Sequence, residues 1–171
     1  MTEVIWAQER DQHLVNDSEL GCILSQKKTG VVILDRHHGI REIEVILELK
    51  KLSDAQILTV SYQDFIEQIL DPDNELNIDE GIPLIADFDC DVLIIRDIDR
   101  LRGKIITQMI IWENVKRMAE SSLIILTGVV LKERIPFLPS AFPEADYYTA
   151  VFSCELSLET GNSWSSEEGN E

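Results

Sequence analysis

The chain has 171 residues, a net charge of −17 and an apolar content of 44%. This length fits one domain with a short tail, and the apolar content excludes a chain that is disordered throughout. The charge argues against direct, general binding to nucleic acid, because an acidic surface repels phosphates.

The cysteines and the hydropathy pattern predict the compartment. Three cysteines lie far apart without a C-x-x-C pair, which predicts neither a disulfide framework nor a zinc site. The N-terminus has no basic start followed by an apolar run, and no apolar run reaches the roughly 20 residues of a membrane span. We therefore expect a cytoplasmic protein in a reducing environment, without membrane contact.

The predicted elements alternate between strands and helices along the chain. Residues 1–29 are weakly patterned, and we expect an N-terminal arm that is irregular or holds one short helix. Short apolar runs then predict buried strands, and apolar residues spaced three and four apart predict helices. The strands are predicted at residues 31–34, 56–60, 92–95, 123–126 and 147–152. The helices are predicted at residues 41–52, 61–70 and 104–119.

Two further segments are acidic. Residues 71–91 are expected to be an acidic connection, and residues 155–171, with no basic residue, a disordered acidic tail. Because the strands are almost continuously apolar and alternate with helices, they predict an α/β fold with a five-stranded, mostly parallel sheet covered on both faces. Such sheets bind ligands at the carboxyl ends of their strands.

The segment after the first of these strands stands where a phosphate-binding loop would lie. That loop has the pattern G-x-x-x-x-G-K-S/T, in which backbone N–H groups wrap the phosphates, the Lys reaches them and the hydroxyl holds Mg²⁺. In this chain Gly39 is slightly displaced, Arg41 takes the place of the Lys and Glu42 that of the hydroxyl residue. Asp35 and Glu42 also bring negative charge to the phosphate position, so the sequence predicts that the loop has lost its chemistry.

The third predicted strand ends in DVLIIRDIDRL, which has the apolar run of a Walker B motif. In that motif one acid holds Mg²⁺ and the next polarises the attacking water. Arg96 stands at the first acidic position and Asp97 at the second. An Arg cannot ligate Mg²⁺. The ordinary interpretation of Asp97 and Asp99 is an exposed turn after a strand, because charged turn residues are mostly exposed.

Residues 91–118, DVLIIRDIDRLRGKIITQMIIWENVKRM, resemble the Walker B region of the bacterial initiator DnaA and its relatives, which include the Hda-type regulators and the helicase loaders. The family pattern is approximately DVLLIDDIQFLAGKE-TQ, followed by a helix with an aromatic residue. The likeness extends over residues 30–152, where ILTVSYQDFIEQIL looks like a family strand and helix, and SLIILTGVVLKERIP like the sensor-1 strand. The resemblance implies a P-loop NTPase-like, three-layer AAA+ domain over residues 30–154 and points to a replication context.

The chain departs from this family at four sites. The phosphate loop has Arg41 and Glu42, the first Walker B acid is Arg96, and sensor 1 is Thr127-Gly128. The arginine-finger region, PFLPSAFPEADYY, has no Arg, and the sequence stops before the family's helical lid and helix-turn-helix. We therefore expect no ATP hydrolysis and no cofactor. The resemblance therefore implies a degenerate nucleotide site, with Gly39, Arg41, Asp97 and Thr127 at its positions.

A weak basic cluster follows the Walker B strand, at Arg96, Arg100, Arg102 and Lys104. Its ordinary interpretation is a solvated helix start, and the alternative is a contact surface for an acidic partner. The favoured function is a non-catalytic AAA+-like adaptor or regulator that binds a protein, possible partners being an AAA+ or replication protein. Two alternatives remain open: a sensor that binds nucleotide without splitting it, and an acidic decoy that imitates DNA.

No metal site is predicted. The adjacent His37 and His38 lack a third ligand nearby, and real sites need three or four. Asp87, Asp89 and Asp91 have the spacing that begins a calcium loop, but the glycine and the glutamate that complete such a loop are absent.

Overall fold

The structure is a computed structural model that describes residues 12–15, 26–36, 56–71, 76–79, 82–85 and 90–150. Within these ranges the strands are β1 Gln12–Val15, β2 Gly30–Arg36, β3 Ile57–Ser61, β4 Leu76–Asp79, β5 Ile82–Ile85, β6 Val92–Arg96, β7 Leu123–Val129 and β8 Asp146–Ala150. The helices are α1 Tyr62–Ile69, α2 Ile105–Met118, α3 Leu131–Arg134 and α4 Leu138–Ala141, and a 3-10 helix spans Ile98–Leu101. The helix predicted at 41–52 and the tail predicted at 155–171 lie outside the described residues.

Among the residues that the structure describes, six strands form one sheet in the order β1-β8-β2-β7-β6-β3, and every neighbouring pair is parallel. All five predicted strands are present, and the α/β, P-loop-like fold class is confirmed. The central strands β2, β6 and β7 are almost entirely buried, which explains their continuous apolar sequences. Within the described ranges, no helix has the length and apolarity that crossing a bilayer requires.

The sixth strand corrects the prediction for the N-terminal arm. Residues 12–15 are neither irregular nor helical, because β1 pairs in parallel with β8, with Gln12 opposite Tyr147 and Val15 opposite Ala150. Its sequence, QHLV, has only two apolar residues and no clear alternation. Pairing with the edge of a formed sheet, rather than intrinsic propensity, accounts for this strand.

The acidic connection also holds structure that the sequence analysis missed. Strands β4 and β5 form a two-stranded antiparallel sheet, with Leu76 opposite Ile85 and Asp79 opposite Ile82. Strand β5 lies against α1 and α2. The sequence signal for these strands is weak because Pro83 lies within β5. Proline is tolerated only in strands that leave its nitrogen unpaired.

Helix α1 is amphipathic, as predicted, and begins with a side-chain cap. The Ser61 hydroxyl accepts a hydrogen bond from the backbone N–H of Asp64 at 3.1 Å, which satisfies one donor of the first turn. Tyr62, Phe65 and Ile69 are buried on its inner face. Burying one large apolar side chain stabilises a fold by roughly 1.5–3 kcal/mol, so this face anchors the helix to the sheet.

Helix α2 confirms the helix predicted at 104–119, but only some of its apolar side chains are buried. Trp112 is buried and meets the ring of Phe142 edge-on, with centroids 5.4 Å apart. Ile105 and Met109, which the sequence places on the same line as Trp112, are exposed. The helical period alone cannot distinguish them, because burial depends on which turns of the helix other elements pack against.

Strand β8 carries two buried tyrosines, Tyr147 and Tyr148. The Tyr147 hydroxyl donates a hydrogen bond to the Phe142 carbonyl oxygen at 2.6 Å. Burial raises the pKa of Tyr147 above its ordinary value. Burial, and then the neighbouring charge of Asp146, raise the pKa of Tyr148 as well. Both side chains therefore remain neutral at physiological pH.

Candidate functional site

The carboxyl ends of β2, β7 and β6 meet at one edge of the sheet. Leu34 on β2 lies opposite Thr127 on β7, and Ser61 on β3 lies opposite Arg96 on β6. Asp35 follows Leu34 at the same edge. Sheets of this class bind their ligands at this edge, and the described members of the predicted nucleotide site, Asp97 and Thr127, lie along it together with Arg96. Gly39 and Arg41, together with His37, His38, Glu42, Asp87 and Asp89, lie outside the described residues.

The carboxylate of Asp35 is buried and bound to backbone. Its side chain accepts hydrogen bonds from the backbone N–H groups of Leu131 at 2.8 Å and Lys132 at 3.3 Å. The Arg36 carbonyl accepts a third bond, from the Val130 N–H at 3.0 Å. Because these donors begin helix α3, Asp35 ties the end of β2 to the chain that follows β7.

Val130 is held in the left-handed region, with φ 54° and ψ 47°. A β-branched residue rarely adopts this conformation, since its side chain crowds the backbone. The bonds that Arg36 and Asp35 make with residues 130–132 hold the strained turn in place. The sequence gives no signal of this role for Asp35, because its bonded partners lie almost a hundred residues further along the chain.

Asp99 is a second buried carboxylate, with 8% of its surface exposed. It accepts a hydrogen bond from the Val129 N–H at 3.1 Å, and its other oxygen lies 3.4 Å from an Arg134 guanidinium nitrogen. The interpretation of Asp99 as an exposed turn residue is therefore wrong. The Asp99 side chain points into the protein, and its bond with the Val129 N–H links the 3-10 helix to the end of β7.

Gly128 makes this contact possible. A Cβ atom on Gly128 would lie 2.7 Å from Asp99 Oδ1, 2.7 Å from Leu131 Cδ2 and 2.8 Å from the Asp99 backbone nitrogen. Thr127, beside it, is fully buried, and its hydroxyl has no hydrogen-bond partner within the described part of the chain. The Thr127-Gly128 pair, which the resemblance compares with sensor 1, therefore consists of a buried hydroxyl followed by a glycine packed against a carboxylate.

Arg96 and Asp97 lie at the carboxyl end of β6, at the positions that the resemblance compares with the two Walker B acids. Arg96 is half-buried, and its Nε atom is buried with no hydrogen-bond partner among residues that the structure describes. Asp97 has φ 63° and ψ 30°, a left-handed conformation that aspartate tolerates better than most residues. Its carbonyl accepts the Arg100 N–H at 2.9 Å and so begins the 3-10 helix. The edge thus has a guanidinium beside one half-buried carboxylate.

The other basic residues of the cluster lie beyond this edge. Arg100, Arg102 and Lys104 are exposed, unlike the half-buried Arg96. The Lys104 amino group donates a hydrogen bond to the Tyr62 hydroxyl at 3.3 Å and lies 5.7 Å from the centre of that ring. In the described ranges, no group of three or more His, Cys, Asp or Glu side chains is placed to hold a metal ion.

No protein-family model and no curated protein sequence matches the chain. Solved structures do match its fold. One is a DNA replication initiation factor, 12% identical, with a TM-score of 0.53 over 78% of this chain and 44% of that one. Another is domain III of the Thermotoga maritima replication initiation protein DnaA, 12% identical, with a TM-score of 0.56 over 77% and 59%. A third is replication initiator DnaA bound to AMPPCP and single-stranded DNA, 13% identical, with a TM-score of 0.51 over 78% and 45%.

The chain has the fold of a DnaA-type AAA+ domain. It spans between 44% and 59% of the length of these three matched chains. At such low sequence identity, the likeness is one of fold. The predicted P-loop-like α/β fold is therefore confirmed, whereas the domain bounds 30–154 stay a prediction. The strand-end residues described above lie at the edge of the sheet where parallel α/β folds bind their ligands.

Proposed function

We propose that this chain is a non-catalytic AAA+-like adaptor or regulator, which acts in DNA replication by binding a protein partner. The observation that carries the proposal is Arg96 at the carboxyl end of β6. In the DnaA family, which the sequence resembles, an acid at this position holds Mg²⁺. A guanidinium carries N–H donors, a positive charge and no acceptor, so it cannot replace that acid.

The other carboxylates at this edge do not supply a metal site in its place. Mg²⁺ needs oxygen ligands in near-octahedral geometry. The oxygens of Asp35 already accept backbone N–H groups, and those of Asp99 face Val129 and Arg134. Recruiting either carboxylate to a metal would compete with these contacts. Among the described residues, this edge therefore offers a magnesium-bound nucleotide mainly the Asp97 carboxylate, which follows the positively charged Arg96 in the chain.

The sequence of the loop that follows β2 supports the same proposal. Arg41 and Glu42 stand where the resemblance expects the phosphate-binding Lys and the hydroxyl residue. A glutamate beside phosphates would repel them, and no hydroxyl would remain to bind Mg²⁺. If the fold is kept while nucleotide hydrolysis is lost, the domain can still act by binding a protein through its surface.

Two further observations support the proposed context and partner. The solved structures that share this fold are replication initiation proteins. The net charge of −17 opposes general binding to DNA. We therefore favour action through a bound protein over direct contact with replicating DNA. We propose no cofactor for this activity and a site of action in the cytoplasm.

Affinity capture of the tagged full chain from its native cells, followed by quantitative mass spectrometry, tests this proposal. We expect saturable enrichment of a replication protein, such as an AAA+ initiator or loader. The control is an unrelated acidic protein of similar charge, because an acidic surface alone collects basic proteins. Enrichment only of proteins unrelated to replication, or of the same set as the control, would contradict the proposal.

A further inference from the structure

Three exposed apolar side chains stand together at the beginning of α2. The exposed fractions are 61% for Ile105, 72% for Ile106 and 51% for Met109. Met109 lies about one turn from both Ile105 and Ile106, so its side chain neighbours each of them on the helix surface. Apolar side chains scattered singly over a surface need no explanation, but a contiguous group bordered by polar residues is typical of an interaction site.

The border of this group is basic. Arg100, Arg102 and Lys104 are exposed and come immediately before the helix. Residues 96–104 hold four basic side chains against two acidic ones, although the whole chain has 32 acids and 15 bases. One of those two acids, Asp99, faces inward to Val129 and Arg134. The segment is therefore locally positive on a protein that is otherwise strongly negative.

The backbone that presents these side chains is firmly held. Leu101, within the segment, is fully buried. Its carbonyl accepts the Lys104 N–H at 2.9 Å and the Gln108 side-chain nitrogen at 2.6 Å. Gly103, with φ +78°, provides the turn into α2. A surface that is ordered before binding loses less conformational entropy on binding, so this arrangement suits a docking site.

We propose that this surface docks an acidic amphipathic segment of the partner protein. We call it the basic–apolar patch and define it as Arg100, Arg102, Lys104, Ile105, Ile106 and Met109. Carboxylates of the partner segment pair with the three cations, and its apolar side chains cover the two isoleucines and the methionine. The assignment rests on the proposed function, because it names the surface through which the adaptor holds its partner.

The chemistry of the patch favours a peptide over a nucleic acid. Proteins that bind single strands combine cations with aromatic rings on which the bases stack. The patch has aliphatic side chains instead, which suit the apolar face of a helix or strand. In addition, a polyanion would meet the repulsion of the whole chain at −17, whereas a short acidic segment carries few charges.

Fluorescence polarisation with a labelled synthetic peptide tests the patch directly. The probe is a helical peptide with Glu on one face and Leu on the other, and its matched partner has Lys in place of every Glu. We expect the full chain to bind the Glu peptide but not the Lys peptide, and more weakly at high salt. Reversing the patch charges with Arg100→Glu, Arg102→Glu and Lys104→Glu should weaken binding about tenfold or more.

The variants separate the two halves of the patch. A triple variant with Ile105→Ser, Ile106→Ser and Met109→Gln should also weaken binding of the Glu peptide, because the apolar cover is lost. Lys116→Glu, exposed near the other end of α2, is the matched control and should bind as the unaltered chain does. All substituted residues are exposed, and the single variant Arg102→Glu provides a milder test if the triple variants fold poorly.

Three results would overturn the patch assignment. The first is peptide binding that both triple variants leave unchanged. The second is a labelled single-stranded oligonucleotide that binds through the patch while the Glu peptide does not. The third is peptide binding that appears only after deletion of residues 155–171, since the occupant would then be the chain's own acidic tail.

Affinity capture with the same variants distinguishes this inference from the proposed function. If the unaltered chain and both triple variants enrich the same replication protein equally, the patch assignment fails and the adaptor function stands. If the unaltered chain enriches no such protein but binds the Glu peptide through the patch, the replication function fails and the patch remains a docking surface for acidic peptides.

Discussion

Replacing Gly128 with alanine is expected to lower the free energy of unfolding by about 1–3 kcal/mol, which is typical of overpacking a filled core. The added Cβ would lie 2.7 Å from Asp99 Oδ1 and 2.8 Å from the Asp99 backbone nitrogen. Real Cβ atoms do not approach so closely, and the backbone atom cannot turn aside as a flexible side chain can. The substitution should therefore push the 3-10 helix away from β7 and weaken the bond between Asp99 and the Val129 N–H.

Chemical denaturation of the unaltered chain and of Gly128→Ala measures this loss of stability. Gly103→Ala is the control variant. Gly103 has φ +78° but no atom within 4 Å of its added Cβ, so its substitution strains only the backbone, at a cost of roughly 1 kcal/mol. Gly128→Val should be more damaging than Gly128→Ala, whereas exposed sites tolerate such changes. Equal stability of Gly128→Ala and the unaltered chain would show that the contact with Asp99 is not tight.

Replacing Asp35 with alanine is expected to destabilise the fold by about 1.5–3 kcal/mol, the range for a hydrogen bond to a charged group. The substitution leaves the Leu131 and Lys132 N–H groups without their acceptor, and it releases the strained turn at Val130. Asp35→Asn should lose less stability than Asp35→Ala, because the asparagine amide oxygen can still accept the hydrogen bond from the Leu131 N–H. Denaturant unfolding measures both, with nucleotide absent.

The exposed Glu133 in the same short helix provides the matched control. Glu133→Ala should change stability by no more than about 0.5 kcal/mol, as is usual for surface positions. The comparison of Asp35→Ala with Glu133→Ala also tests whether Asp35 has a structural or a catalytic role. Carboxylates retained for catalysis often reduce stability, so removing one is neutral or stabilising, whereas removing a structural carboxylate destabilises. If Asp35→Ala were as stable as Glu133→Ala, the structural role assigned to Asp35 would be wrong.

The sheet could be predicted from the sequence because its strands carry a local signal. Continuous apolar runs mark β2, β6 and β7, and the alternation with helices indicates parallel pairing. Strand β1 and the β4–β5 pair carry little such signal. They are strands because of what they pair with, so only the tertiary structure reveals them.

The sequence predicts which strand ends to inspect but not how their side chains are arranged. The Walker B resemblance points to Arg96 and Asp97, and the structure has them at the carboxyl end of β6. It does not reveal that Asp99 turns inward, because that depends on Gly128, a residue on another strand that leaves room for the carboxylate. In the same way, the helical period places Ile105 on the line of Trp112, although Trp112 is buried against Phe142 and Ile105 is exposed.

The central claim is that this AAA+ fold is retained without its nucleotide chemistry, and calorimetric titration of the full chain with ATP and ADP in the presence of Mg²⁺ tests it most directly. The same samples are assayed for phosphate release, and Arg41→Ala shows whether any signal arises at the former phosphate loop. We expect no heat of binding for either nucleotide at millimolar concentration, and no phosphate release above that of buffer. Saturable binding of ATP or ADP that Arg41→Ala abolishes, or phosphate release that scales with protein concentration, would contradict the claim.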